Sequence, residues 1–500
     1  MNFNSTFLLL LSLSFFTCFA QKEVLSLQID DNTAMLPRKK EAFTFLDAKS
    51  GDLAVMMIDQ KMVFVNLFDK NFKEKSAVTF DPLASKYENI LGYEIAGNMY
   101  KILASNNSKS KFVIIKIDFD SKKVSEEEFK FDFDDEKYLE TINYNNKLFL
   151  FSATKGNVFT IRELVTDGFN TLKSFQIENR KQGFFELVGL EPITFDQVDN
   201  ETRKQKLLKR DQLFGSLKSN ITKIDTRVPN AIEQTASNNK LYQKDNLVYI
   251  TIEDDENLHT IFYKIDLESL SMEQAFYEYP KGRVADFKKY NSFIFEDKIL
   301  QLGSSNNEMK IIVKSFTGES LKEHYIEVNQ PIKFKNSPII QDGQTFVPLV
   351  NRREMEETPK YLRKISSGKI GVTAYKDGDL YAFTIGGYHE ASGGSGGMMM
   401  VGDYGYNGST TAGVPTGVYQ NPTYYSFYGY SSTRSIFFNT HFDSDFNYVP
   451  HEESDNIFDR IKEYKKGIQY ESAEDVFIHE GKVCFLYYNL KEKTLRIIEM

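Results

Sequence analysis

A recurring strand pair constrains this 500-residue chain more than any other feature. A polar turn opens a short apolar run, a loop follows, and a second run comes back. The openings stand at Gly51-Asp52, Gly97-Asn98, Asn145-Asn146, Asp245-Asn246, Glu296-Asp297, Asp342-Gly343, Asp377-Gly378 and Glu480-Gly481. Gly51 to Gly97 is 46 positions and Asp245 to Glu296 is 51, room for one small antiparallel sheet in each interval. Repetition at that period is how sheets set around a common axis look in sequence.

The first unit predicts strands at Ala42–Leu46, Leu53–Ile58, Met62–Leu67 and Ala77–Phe80, separated by turn chemistry such as Lys49-Ser50-Gly51-Asp52. The second repeats the layout with Tyr100–Leu103, Phe112–Ile117 and Phe129–Phe133, and the third with Leu148–Ser152, Val158–Leu164 and Leu172–Ile177. Runs such as Phe112-Val113-Ile114-Ile115 are apolar on both faces, which suits sheets with a neighbour on each side. The last unit supplies Val483–Tyr488 and Thr494–Glu499 before the chain ends, whereas Val24–Ile29 is a lone strand near the start. Open sheet edges invite aggregation, so the amino-terminal strand is expected to complete the final sheet.

Residues Phe7 to Phe16 are apolar apart from Ser12 and Ser14, and no charge precedes Lys22. A bilayer span takes about 20 apolar residues. The stretch therefore reads as a secretory signal over residues 1–20, cleaved after Ala20. A lipid anchor on Cys18 is disfavoured by the bulky Phe16-Thr17 before it. Cleavage leaves Cys484 as the one cysteine, so stability must come from the core; about 480 residues suffice, since large chains bury about three-quarters of their unfolded surface. Cysteine poverty fits a bacterial envelope or extracellular protein better than a disulfide-dense ectodomain. A formal charge of −9 offers no basic field for nucleic acid, and the mature chain holds no second stretch apolar enough to cross a membrane.

On these residues the mature chain, 21–500, resembles a secreted β-propeller. The resemblance implies an all-β fold of seven or eight blades closed by the amino-terminal strand, with short helical insertions. Eight openings favour eight blades; the interval of 35 from Asp342 to Asp377, with Pro338 and Pro348 weakening that unit, favours seven. The chain has no tryptophan, unlike tryptophan–aspartate repeats, sialidase aspartate boxes and quinoprotein blades, so no family's site residues carry over. Helical insertions are expected over 196–218, where Leu207, Phe214 and Leu217 share a face, and over 454–467. There Ser454 is the expected cap, Ile457, Phe458, Ile461 and Tyr464 form a stripe, and Lys465-Lys466-Gly467 a stop.

Residues 386–433 differ in composition from the rest, with 12 of the 29 glycines, 8 of the 28 tyrosines, and Glu390 and Asp403 as their charges. A long Gly/Tyr-rich loop on a rigid scaffold suits recognition, and Tyr388, Met398, Tyr404, Tyr406, Tyr424 and Tyr425 are the candidate binding residues. Gly393-x-Ser395-x-Gly397 lacks the strand and helix of a nucleophile elbow. Asp443-x-Asp445-x-Asn447 lacks the glycine and carboxylate of a calcium loop and reads as a solvated turn. His441 and His451, ten residues apart across a turn, read as surface histidines. The basic run Arg203–Arg210 and the acidic patch Asp132–Glu136 read as solvated faces. No catalytic residue, metal ligand or cofactor is assigned. The expected function is a non-catalytic binding or scaffold propeller engaging a protein or glycan through loops on one face. The alternative is a hydrolase or lyase acting on polysaccharide or a small secreted metabolite, with carboxylates in the central channel.

Overall fold

The computed structural model describes residues 21–29, 41–59, 61–133, 135–154, 156–177, 221–342, 352–388, 421–431 and 435–500. Among these residues the chain forms seven sheets of four or five strands. Sheet 1 is a meander of Glu41–Leu46, Leu53–Ile58, Val63–Phe68 and Glu74–Phe80. Sheets 2 and 3 repeat it from Asn89 to Lys130 and from Glu136 to Gln176. Sheet 4 begins with Asn239–Lys244, sheet 5 with Lys289–Phe295, sheet 6 with Lys369–Asp377 and sheet 7 with Glu471–His479. The fold is an all-β propeller, with seven blades among the described residues.

The turn residues explain why the repeat is visible in sequence. Asn145 and Asn146 (φ 48° and 65°), Glu296 and Asp297 (48° and 57°), and Glu480 and Gly481 (47° and 78°) each place two successive residues in the left-handed region. That pairing joins two strands without splaying their twist, and Asn, Asp and Gly tolerate it best. Seven of the eight openings join the first and second strands of a sheet. The eighth does not. Asp342 ends Ile339–Asp342, which lies beyond Ser435–Phe442 in sheet 6, with Arg352–Met355 outside it. The interval of 35 residues is therefore no repeat, because that sheet borrows its outer strands from the chain ahead of it.

Alternate residues of a strand serve different neighbours. Phe112 and Ile114 of sheet 2 pack with Leu148 and Leu164 of sheet 3, whereas Ile115 and Ile117 pack with Val65 and Leu67 of sheet 1. The amino-terminal strand Lys22–Gln28 pairs antiparallel with Thr494–Glu499, setting Leu25 opposite Ile497 and Leu27 opposite Leu495. Ile29 donates from its backbone to Lys493 (2.9 Å), so the pairing runs one residue past the strand. The inner strand of sheet 7 in turn meets that of sheet 1, where Thr44 bonds Asp475.

Four helices are described: α1 Ile232–Thr235, α2 Thr358–Ser366, α3 Pro422–Ser431 and α4 Ile457–Lys466. The predicted helix over 454–467 starts later than expected. Asn456, not Ser454, caps it, accepting from Phe458 N (2.9 Å) and Asp459 N (3.1 Å), and Asp459 reaches back to complete the box. Within 386–433, Gly386 to Tyr388 continue a strand and 422–431 are α3, so the ends of that expected loop are regular structure. The expected helix over 196–218 lies outside the described residues.

Sheets 6 and 7 do not meet as the others do. One face of sheet 7 packs on sheet 1 through Phe477, Leu486, Leu495 and Ile497. Its other face, Val476, Phe485, Tyr487 and Ile498, packs on Tyr425, Phe427, Phe458 and Ile461 of α3 and α4. Helix α3 in turn packs on α1, which packs on the first two strands of sheet 6, so the helices form a seam between two blades. No described helix is long and apolar enough to cross a membrane.

Candidate functional site

Segments between the blades lie against the first strands of sheets 4, 6 and 7. Ile221–Ile224 lies parallel to the first strand of sheet 4, and α1 follows it to pack on the first two strands of sheet 6. Helix α3 packs on α1, on Ile221–Ile224 and on the first strand of sheet 7. Gly429 lets α3 close on α1, since a Cβ there would come within 2.4 Å of the Gln234 side chain. Polar bonds fix the contact: Thr423 Oγ1 donates to Asp225 Oδ2 (2.6 Å), Ser426 Oγ to Asn230 Oδ1 (2.7 Å), and Gln234 Nε2 to Tyr425 O (2.8 Å). Burial works against the Asp225 charge, but Arg227 and the Thr423 hydroxyl outweigh it and hold the carboxyl low.

Carboxylates gather along this seam. Asp475 is buried and accepts from Thr44 N (3.0 Å), Thr44 Oγ1 (2.8 Å), Asn421 Nδ2 (2.7 Å) and Val476 N (2.9 Å). Burial still pushes it up to about 7. Glu471 and Glu474 share Lys465, and Tyr424 Oη donates to Glu474 (3.2 Å). Burial and its neighbour Glu474 push Glu471 up to about 7. Glu474 is held below its ordinary value, because the bonds from Glu471, Lys465 and Tyr424 outweigh its burial. One carboxyl is thus poised to carry a proton beside one that is ionised, which is the division of labour that acid–base chemistry needs.

His441 departs from the expectation of a plain surface histidine, whereas His451 is exposed as expected. His259, His441 and His479 are buried, with His479 Nε2 3.1 Å from Gly51 O and His259 Nε2 3.4 Å from Asp254. Burial pushes His324 down to about 4. His441 comes to lie against His451, ring centroids 4.4 Å apart, and its Nε2 is 3.5 Å from Asp377 Oδ2. Sequence reasoning passed over this trio because Asp377 and His441 belong to strands on either side of the long insertion.

Of the candidate binding residues, Tyr388, Tyr424 and Tyr425 are buried, the last two in the seam core. Met398, Tyr404 and Tyr406 lie outside the described residues, as do Gly393–Gly397 and the basic run Arg203–Arg210. The solvated reading of Asp132–Glu136 fails at its end: Glu136 grips Arg162 through two bonds (2.6 and 2.9 Å) and accepts from Ser152 (2.5 Å), all half-buried or deeper. Asp443 does make the expected turn, accepting from Asp445 N (2.9 Å) and Asn447 N (2.8 Å). Cys484 is buried and its thiol is pushed up to about 12, which makes it inert packing. On the outside, a groove of about 370 Å³ runs between Arg352–Met355 and α2, lined by Arg353, Lys360, Arg363 and Lys364 with Glu354 and Glu357.

No family model matches the chain, and no curated protein matches it in sequence. Among solved structures it is similar to the N-terminal domain of Nup159, with 11% identity over 96% of this chain and 94% of that one, at a TM-score of 0.31. It is similar to the Dos1 propeller at 7% identity, covering 96% and 95%, with a TM-score of 0.30. The Nup133 β-propeller domain of Vanderwaltozyma polyspora shares 13% identity over 58% of this chain and 76% of that chain, at 0.22. Superposition this loose transfers no residue and no role; the propeller is read from the seven sheets and their order.

Proposed function

We propose that this protein is a secreted or envelope-associated scaffold that binds a protein or glycan through its surface rather than converting a substrate along its axis. The packing on the first strands carries the reading. Strand Ile221–Ile224, α1 and α3 lie against the first strands of sheets 4, 6 and 7, and their polar groups bond to one another. Loops and grooves at the surface are then what a ligand meets, and rigid blades hold such loops in place. The apolar leader before Lys22 supports passage out of the cytoplasm.

The test is affinity capture from a native envelope extract with the mature chain. A second bait replaces residues 391–418 by a flexible Gly-Ser linker, leaving strand residues 386–388 and α3 intact. A specific partner held by the first bait and lost by the second supports binding through that insertion. A partner held equally by both assigns the role to other surfaces. Failure of both baits to retain anything specific contradicts the proposal.

The Glu471–Glu474 pair favours a second reading, hydrolysis or elimination on a polysaccharide or small secreted metabolite. Their opposite shifts suit an acid and a base. Turnover of a glycan panel that disappears in Glu471→Gln, with the melting temperature kept, would establish it; a panel left untouched by the wild type would dismiss it.

A further inference from the structure

We infer that Asp377, His441 and His451 form a binding site for one divalent transition-metal ion, zinc being the cation whose chemistry fits best. The register of sheet 6 builds it. Tyr375 stands opposite Ala382, and Ala382 opposite His441, so these three share one face. Asp377 lies two residues beyond Tyr375 and therefore shares that face as well. On the other face Phe383 packs into the core beside sheet 5, so the His441 face is the one turned toward the seam. The small side chain of Ala382 leaves room beside the imidazole.

His451 is delivered by the segment that runs from Ser435–Phe442 to α4. Val449 N donates to His441 O (2.9 Å), and Phe442 bridges to Tyr448. A single side chain, Asn336, ties the two histidine positions together: its Oδ1 accepts from His441 N (2.7 Å), and its Nδ2 donates to Val449 O (3.1 Å) and His451 O (2.9 Å). One ligand atom from each of Asp377, His441 and His451 lies within 4.8 Å of the others, close enough for small side-chain rotations to bring them onto one ion.

A second observation points the same way. His441 is 7% exposed, yet its Nδ1 has no hydrogen-bond partner among the described residues. A buried polar atom left unpaired costs about 1–3 kcal/mol, so His441 has a ring nitrogen still to satisfy besides the Nε2 that faces Asp377. Two imidazoles and a carboxylate are ligands for zinc and its neighbours, whereas magnesium and calcium take oxygen donors. Asp377 and His451 are exposed, so the fourth position faces solvent and is open to water or an anionic donor. The ion would clip the rim of sheet 6 to the segment entering α4, at the mouth of the seam.

The test is calorimetric titration of zinc into the chelator-treated, untagged mature chain, with cobalt absorption as a readout of ligand geometry. The site predicts one zinc per chain at micromolar affinity or tighter, and an intense cobalt band of tetrahedral type. His451→Ala and Asp377→Asn alter exposed side chains and should keep the wild-type melting temperature without metal. Each should weaken zinc by at least about 10–100-fold, as even the loss of a group supporting a ligand does. His441→Gln should abolish binding. Absence of a saturable one-to-one event in the wild type, or zinc binding unchanged in His451→Ala, would overturn the site.

Discussion

The joint between sheets 1 and 2 and the joint between sheets 6 and 7 solve one packing problem in different ways. In the first, Phe45, Val65, Ile102 and Ile115 interlock sheet to sheet, and burial pushes the phenols of Tyr93 and Tyr100 in the same cluster far above neutral pH. In the second, α3 and α4 stand between the sheets, and Glu471, Glu474, Asp475, Asp459 and Lys465 line them. The apolar cluster thus holds the first joint without a member that titrates near neutral pH. The regular blades also bury ion pairs such as Lys223–Glu140 and Lys240–Glu253, but the two carboxyls that burial pushes to about 7, Glu471 and Asp475, lie where the repeat is interrupted. A propeller that needs a site can place it at the blade whose sequence has been freed from the meander.

The largest effect expected concerns neither joint but the strand that starts the described chain. Removing Lys22–Gln28 uncovers the edge of Thr494–Glu499, and an unpaired edge recruits other chains. The truncated protein should self-associate in size-exclusion chromatography and melt at lower temperature; a monomer with wild-type melting would show that the pairing contributes little.

Next come the joints themselves. Phe112→Ala in the sheet 2–3 joint should cost about 3–5 kcal/mol in denaturant unfolding, by the same amount at pH 5 and pH 8. Asp475→Ala leaves the Thr44, Asn421 and Val476 donors unpaired and should cost about 1–3 kcal/mol at pH 5. Its cost should shrink at pH 8, and the sign follows from linkage. The folded carboxyl titrates at about 7 against 3.8 for the free side chain, so the fold keeps a proton that the unfolded chain has lost. Wild-type stability therefore falls as pH rises between about 4 and about 7, and the variant loses that share of the slope. Equal costs at both pH values would erase the contrast between the joints. Smallest is Asn456→Ala, which removes the cap of α4 and should cost about 1 kcal/mol, read by unfolding.

The regular joints were legible because their determinants are local. Left-handed turn residues such as Asn145 and Asn146 mark the hairpins, and strands apolar on both faces, such as Phe112–Ile115, announce two neighbours. The blade count stayed open between seven and eight because Asp342 has the chemistry of an opening turn but pairs with a strand far along the chain. Helix α3 gave no sign. Its tyrosines and Phe427 lie all round it, with a proline at its start and a glycine inside, so no stripe marks a buried face. The charged seam was hidden for the same reason: Glu474 and Asp475 look like any solvated acidic pair until α3 and α4 cover them. Glu136 looked solvated too, its partner Arg162 being two strands away.

Hydrogen–deuterium exchange, followed peptide by peptide, tests the filled seam most directly. The account predicts that α3, residues 422–431, exchanges as slowly as the inner strands 369–377 and 471–479, because it is core between two blades. Exchange of 422–431 at the rate of an exposed turn such as 106–110 would contradict it, leaving sheets 6 and 7 without their filling.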